Sequence, residues 1–427
     1  MPANTFRSLR HRNYRLLFFG QGFSLIGTWM QMMAQQVLVY RLTGSATALG
    51  VVSFIGFIPL LPLALWGGSI ADRFPKQRVI LITQIIMMLQ AFVLAGLTLT
   101  GVVQIGHVYV MAFILAAAQA VDMPARQAFT VEMIEGKEDL TNAIALNSAI
   151  FNGARALGPA LAGLAVATTG EGMAFAFNGL SFVAVIIGLL LMRNLPQPNG
   201  SRRTTSLAHH VTEGARFVGR QQAILVLMSL VAVSAFLSMP YTTLMPVFAD
   251  RVLGESARPV VAFLCEGAHP PMRCLSPQAL PLGILLTMVG IGAVTGALLV
   301  ASLPDNARRG RMLTIANLAF PFLLLIFATS RSFLLSMAVL LLVGMSFVWQ
   351  NSLANTLLQI ITPDAVRGRV MSLYTLTFQS TMRLGGLQVG LLADRLGASL
   401  AVGLGVAISL AYCLFVALHF PKVREMA

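Results

Sequence analysis

Apolar runs of about 20 residues recur along this chain, and each is long enough to cross a hydrocarbon core about 30 Å thick. Twelve such spans are predicted, at 16–40, 46–71, 79–100, 107–127, 143–168, 172–192, 222–249, 280–302, 312–330, 333–356, 370–393 and 398–420. Only 10% of the 427 residues are charged and 57% are hydrophobic. A soluble domain carries roughly 25% charged residues, so this chain cannot clothe a water-exposed surface. Spans of this length satisfy their backbone internally only as helices, so the expectation is an all-α membrane protein of twelve transmembrane helices.

The net charge of +14 invites a nucleic-acid reading, which the distribution of the charge removes. With the N-terminus inside, the cytoplasmic segments hold 21 of the 29 Lys and Arg, and the outer loops hold six. The other two, Arg155 and Arg383, fall inside spans five and eleven. This is the positive-inside pattern, and it predicts that both termini are cytoplasmic. No basic patch stands clear of it, so no nucleic-acid partner is expected. The basic stretch Arg7 to Arg15 leads into a full-length apolar run, which reads as the first span rather than a cleavable signal. Cys413 falls in the last span, while Cys265 and Cys274 share an outer loop where a disulfide is permitted.

The chain repeats itself. A shift of 227 residues lays Pro124 on Asn351, Glu132 on Gln359, Gly158 on Gly385, Gly163 on Gly390 and Gly170 on Gly397. The predicted organisation is a six-helix bundle over 1–192, a cytoplasmic connector over 193–221 and a second six-helix bundle over 222–427. Repeats of this kind place a binding site between the halves near the membrane midplane. The connector, with five arginines and the helix-like Ser206–Arg220, is expected to lie on the anionic inner leaflet. Gly44 to Arg78 covers 34 steps, whereas Gly254 to Arg311 covers 57, so the second half carries about 23 extra residues. They fall within 255–281, an outer segment with five prolines that is expected to be an irregular loop, either disordered or closed by a disulfide into a cap.

Glycine at Gly68 allows close helix approach, and Asp72, Arg73, Lys76 and Arg78 follow at the cytoplasmic end of span two. An aspartate there can face a neighbouring helix N-terminus while the cations anchor at the interface. The stretch resembles the loop-2/3 signature of the major facilitator superfamily, whose aspartate and arginine help latch the cytoplasmic side. A weaker echo, Asp305 to Arg311, stands in the corresponding place of the second half. Ala154-Arg155-Ala-Leu-Gly158-Pro159-Ala-Leu-Ala162-Gly163 is similar to the superfamily's exporter-associated signature, with alanine at 154 and 162 where that pattern has glycine. Physically, Pro159 bends the helix and Gly158 and Gly163 allow tight packing. Phe6 to Arg15 with Leu42-Thr-Gly-Ser45, and Pro363-Asp-Ala-Val-Arg367-Gly-Arg369, resemble the enterobactin-exporter-like and macrolide-efflux-like branch. The resemblance implies an exporter of siderophores, macrolides or similar compounds, driven by proton antiport in a bacterial inner membrane. It also assigns Gly68, Asp72, Arg73, Arg78, Arg367 and Arg369 to a conformational latch.

Polar residues within spans are the best guide to a cavity, because lipid penalises them. Gln21, Ser24, Thr28, Gln31 and Gln35 share one face of span one; Asn351, Asn355 and Gln359 share one of span ten, and Thr375, Gln379 and Arg383 one of span eleven. These faces either line a water-filled substrate path or hydrogen-bond helix to helix. Arg155 and Arg383 lie near the middles of their spans with no midplane carboxylate, so they either attract an anionic or catechol-like group or brace the fold. Asp122 and Glu132 are the candidate proton carriers, although Asp122 stands four residues from Arg126, the spacing of a helical ion pair. No phosphate-binding Gly-rich loop, metal-ligand spacing or nucleophile triad occurs, so no nucleotide, metal, cofactor or enzymatic activity is expected. The reading is a small-molecule exporter, with an importer or lipid-moving permease as first alternative and a non-transporting sensor or scaffold as second.

Overall fold

A computed structural model of the chain describes residues 6–60, 62–63, 74–134, 136–193, 207–267, 274–304, 308–421 and 424, and the side chains of all these except 137, 207–213 and 365. Gly68, Asp72, Arg73 and Asp305 of the proposed latch motifs lie outside the described residues. Every regular element among the described residues is helical: α1 (Arg12–Thr43), α2 (Ala46–Ile55), α3 (Lys76–Leu99), α4 (Ile105–Glu132), α5 (Lys137–Thr169), α6 (Glu171–Leu190), α7 (Leu207–Arg220), α8 (Gln222–Val233), α9 (Gly254–Ala262), α10 (Ala279–Ala301), α11 (Arg309–Thr329), α12 (Phe333–Ile361), α13 (Asp364–Leu396) and α14 (Ala398–His419), besides short 3-10 and π turns.

Nine described helical stretches are long and apolar enough to cross a membrane. The three other predicted spans correspond to α1, α2 and α13. α1 and α13 carry the polar stripes, which dilute their apolar character, and α2 is described as regular helix only to Ile55. The seventh span is continuous over Gln222–Val252 but not regular. After α8 it passes through a π turn (Ser234–Ser238), a 3-10 stretch with Pro240, a helical turn with Pro246 and a second π turn (Phe248–Val252). Each proline lacks an N–H and breaks the hydrogen-bond ladder, which accounts for the change of winding.

Contacts divide the chain into two compact units. The first gathers Met1–Leu42, Ile55–Arg203 and Leu264–Gly283; the second gathers Thr43–Phe54, Thr204–Phe263 and Ile284–Ala427. The core of the first unit includes Tyr14, Leu17, Ile80, Phe129 and Leu189. That of the second includes Leu227, Leu313, Leu357, Val370 and the free thiol of Cys413. The connector helix α7 packs on the second unit: Val218 is buried in this second core and Gly214 packs on the backbone of Arg369.

The sequence repeat returns as matched contacts. Gly158 packs on α1 at Trp29, and its counterpart Gly385 packs on the seventh span at Phe236. Gly163 meets Gly283 at the start of α10, and Gly390 meets Ala46 and Gly50 at the start of α2. Gly170 and Gly397 each join two helices as a single residue at φ 83° and 84°, a conformation that glycine adopts without steric cost. The run Gly290 to Gly296 is a packing seam, as a Cβ on Gly292 would collide with the Leu341 carbonyl of α12.

The extra segment corrects the expectation of an irregular loop. Residues 254–262 form α9, with Glu255 in its first turn and Ala257 fully buried, followed by a π turn over Phe263–Gly267. The favourable charge of Glu255 at the helix N-terminus and the burial of Ala257 offset the donor lost at Pro259. Cys265 and Cys274 are joined by a disulfide. Beyond it, the N–H groups of Leu275 and Ser276 both donate to the Ala167 carbonyl of α5, which fixes the segment's return to the first unit.

Candidate functional site

In the first unit, the polar stripe of α1 turns into the helix packing. Gln31 is 1% exposed; its Nε2 donates to Gln90 Oε1 on α3 (3.0 Å), and Asn178 Nδ2 on α6 donates to its Oε1 (2.6 Å). Ser24 and Gln35 are also buried, whereas Gln21 and Thr28 are partly exposed, and the Thr28 hydroxyl donates to the Ser24 carbonyl. The stripe is thus divided between an interhelical amide relay and side chains that retain access. Gln90 and Asn178 were not singled out in the sequence, since each is a lone amide in an apolar helix.

Asp122 is buried and collects four donors. Arg126 gives two, at 2.9 and 3.2 Å, and Thr83 Oγ1 and Gln84 Nε2 on α3 give one each, at 2.7 and 3.0 Å. The i,i+4 ion pair expected from the sequence is present. Glu132, at the end of α4, pairs with Lys76 at 2.6 Å. On α5, Arg155 is half-buried and Gly158, Pro159 and Gly163 are buried. The two glycines are the close contacts described above, and the Pro159 carbonyl lies against Gly283. The basic N-terminal motif also acts on α5. Arg7, Arg10 and His11 converge on Asp139, and the Ser8 hydroxyl donates to the Asp139 carbonyl and Asn142, tying the leading 3-10 turn to the start of that helix.

In the second unit, α12 and α13 carry the polar groups. Asn351 Oδ1 accepts a short hydrogen bond from the Tyr374 hydroxyl, and Gln359 Nε2 donates to Asn355 Oδ1 (2.5 Å). Gln379 and Arg383 are partly exposed on α13. At the start of α13, Arg367 pairs with Asp364 (2.5 Å) and donates to the carbonyls of Gln359 and Thr362, closing the turn between α12 and α13. Arg369 supplies the backbone on which α7 rests, and Arg78, in the first turn of α3, is exposed. Arg78, Arg367 and Arg369 therefore stand in the first two turns of their helices, and Asp72 lies outside the described residues.

One polar constellation in the second unit was not anticipated. Asp394 lies near the last turn of α13, one residue beyond the predicted span, and accepts from Ser45 Oγ (2.6 Å), Ala46 N (2.8 Å) and Thr47 N (2.9 Å). It therefore caps the N-terminus of α2, whose first amides have no partner within the helix. Ser45 assists, since its Oγ accepts from Ala48 N, and Gly44 supplies the turn at φ 60°. Arg251 donates to the Gly44 carbonyl (3.1 Å). Burial tends to raise the Asp394 carboxyl, but the bonds from Ser45, Thr47 and Ala46 outweigh it and lower the pKa to about 2. The signal in the sequence was the Leu42-Thr-Gly-Ser45 motif, whose partner lies some 350 residues away and has no local mark.

The sequence profile of the transmembrane secretion effector family matches residues 3–268 and 254–427, nearly the whole chain. The chain is 26% identical to the staphyloferrin A transporter of Staphylococcus aureus over 89% of each protein. It is 25% identical to the multidrug efflux pump Tap of Mycolicibacterium fortuitum, over 94% of this chain and 93% of that one. It is 22% identical to the enterobactin exporter EntS of Shigella boydii, over 93% and 86%. Among solved structures, the nucleoside transporter NupG superposes with a TM-score of 0.70 at 14% identity, over 96% of this chain and 99% of that one. A bacterial homologue of the lysosomal transporter Spinster gives 0.67, also at 14%, over 97% and 98%. These structures share the major facilitator fold, and the family is one of membrane transporters, not enzymes. The chain belongs to the transmembrane secretion effector family of the major facilitator superfamily.

Proposed function

We propose that this protein exports an amphiphilic small molecule, siderophore-like or antibiotic-like, across a bacterial inner membrane by alternating access coupled to proton entry. The observation that carries the reading is similarity over about nine-tenths of the chain to both a siderophore exporter and a drug efflux pump. The 1–192 and 222–427 halves act as the two moving bundles, with both termini in the cytoplasm, as the positive-inside charge distribution supports. The polar side chains that retain access, namely Gln21 and Thr28 on α1, Asn351 and Asn355 on α12 and Gln379 and Arg383 on α13, contact the substrate. Within the first unit, Ser24, Gln31, Gln35 and Arg155 support Gln21 and Thr28. Asp122 is the favoured proton carrier, since a proton there would release Arg126 and change the contact between α3 and α4. Glu132 and Lys76 are a second, more exposed pair. Gly68, Asp72, Arg73, Arg78, Arg367 and Arg369 form the cytoplasmic latch. An export screen tests the reading: a strain lacking the gene should retain a siderophore or antibiotic that the complemented strain expels. Equal retention across a panel of both classes would reject it.

A further inference from the structure

α13 has one continuous face on which two different things happen. Thr375, Gln379, Arg383, Gly386, Gly390 and Asp394 follow one another at steps of four, four, three, four and four, so they lie on one side of the helix. Over the outer half of this face the helix is closed by α2. A Cβ on Gly386 would overlap Ser53, one on Gly390 would overlap the Ala46 carbonyl, and Asp394 caps the first turn of α2. Among the described residues this closure extends as far as Arg383, whose backbone carbonyl accepts from Ser53 Oγ (3.5 Å). The regular winding of α2 ends two residues later, at Ile55, and passes into a turn over residues 56–59.

Over the inner half the face is polar and open. Thr375 is exposed, and Gln379 and Arg383 are partly so. The Thr375 hydroxyl is used by the Met371 carbonyl, but no hydrogen bond from another described residue reaches the Gln379 amide or the Arg383 guanidinium, and Arg383 Nε is buried without a partner. The carboxylates of its own helix are out of reach. Asp364 is 19 residues away and Asp394 is 11, about 28 Å and about 16 Å along an α-helix, and both are engaged elsewhere. A guanidinium keeps its charge in such a place and offers a planar fork of donors, so an unpaired one in the middle of a membrane helix is costly unless something anionic completes it.

The geometry points to Arg383 and Gln379 as a subsite for an anionic oxygen group of the transported molecule, a carboxylate or catecholate held by the guanidinium fork with the amide beside it. This assignment rests on the reading of the chain as a small-molecule transporter and names the substrate chemistry of that site. Arg155 of the first unit is not needed for it.

The test is binding to the purified full-length protein in a neutral detergent, followed by thermal shift and titration, with 2,3-dihydroxybenzoate as the anionic probe, neutral catechol as its control and tetraphenylphosphonium as a cationic probe. The anion should stabilise the wild type, and Arg383→Gln should weaken its binding at least about ten-fold, the usual loss for a hydrogen bond to a charged group. Arg383→Lys, which keeps the charge but loses the fork, should fall between the two, and Gln379→Leu should weaken the anion more than the cation. Equal anion binding in wild type and Arg383→Gln overturns the proposal. If Arg383→Gln does not accumulate, Arg383→Lys and Gln379→Leu decide it, and anion binding unchanged in both overturns it. Phosphatidylglycerol added to the same samples separates a lipid headgroup from a free anion. Arg383-dependent stabilisation by that lipid, with no effect of the soluble anion, overturns a substrate subsite. Transport by the wild type is measured separately in vesicles: its absence bears on the exporter reading alone, whereas Arg383-dependent binding of the anion to the purified protein supports the subsite.

Discussion

Replacing Asp394 with Asn should loosen the contact between the start of α2 and the last turn of α13. Three donors reach the carboxylate, two of them backbone amides at the start of α2. Asparagine keeps one acceptor oxygen and turns an amide N–H₂ toward the remaining donors, so at least one of the three is lost together with the charge. Loss of an N-cap costs about 0.5–2 kcal/mol, and loss of the charge–dipole contact about 0.3–1 kcal/mol. The lowering of the carboxyl from 3.8 to about 2 would alone correspond to ~2.5 kcal/mol, but the group is exposed and solvent screening reduces this to about 1 kcal/mol. Both routes meet near 1 kcal/mol, or about 1–2 °C in the unfolding midpoint of a chain this long. The folded carboxyl lies below its unfolded value, so its contribution is complete above about pH 4 and disappears as pH falls through about 2. Thermal unfolding of solubilised wild type and Asp394→Asn between pH 7 and pH 2.5 should therefore show a gap that is constant down to about pH 5 and narrows below pH 4. No gap at neutral pH, or a gap that widens in acid, would refute the reasoning.

Three further outcomes are expected. Cys265→Ser opens a disulfide of sequence separation 9, which the chain-entropy model values at about 2.5–3 kcal/mol; its unfolding midpoint should fall, and a midpoint equal to that of wild type under oxidising conditions would discount the bridge. Gly292→Val places side-chain atoms where the Leu341 carbonyl stands, so a loss of about 1–3 kcal/mol and a lower yield of folded protein are expected in membrane extracts; unchanged yield and stability would count against the seam between α10 and α12. Asp122→Asn keeps the Thr83 and Gln84 contacts but loses the ion pair to Arg126, so transport should become insensitive to an imposed proton gradient while the protein still folds; gradient-driven transport at the wild-type rate would remove Asp122 from the coupling step.

Much of the architecture was legible because lipid imposes it. Span length and the 227-residue glycine repeat are consequences of hydrocarbon thickness and close helix packing, and each reads directly from residue type and spacing. The Asp122–Arg126 pair was legible for a similar reason, since both partners sit on one helix at one turn's distance. What spacing cannot reveal is which helix a side chain meets. Gln31 finds Gln90 and Asn178 on two other helices, and Asp394 finds Ser45 some 350 residues earlier. The extra segment was misread because its prolines argued for a loop, whereas Pro259 is carried within a short helix anchored by the buried Ala257.

The central claim is that this chain moves small molecules out of the cytoplasm, and inside-out vesicles test it most directly. In them, the face that would be cytoplasmic in the cell is turned to the medium, so an exporter accumulates substrate inside. Vesicles containing the protein, with an acid interior, should accumulate a siderophore-like or antibiotic-like compound found by the export screen, and the signal should vanish when a protonophore collapses the gradient. Accumulation only in right-side-out vesicles, or equal accumulation with and without the protein, would contradict the account.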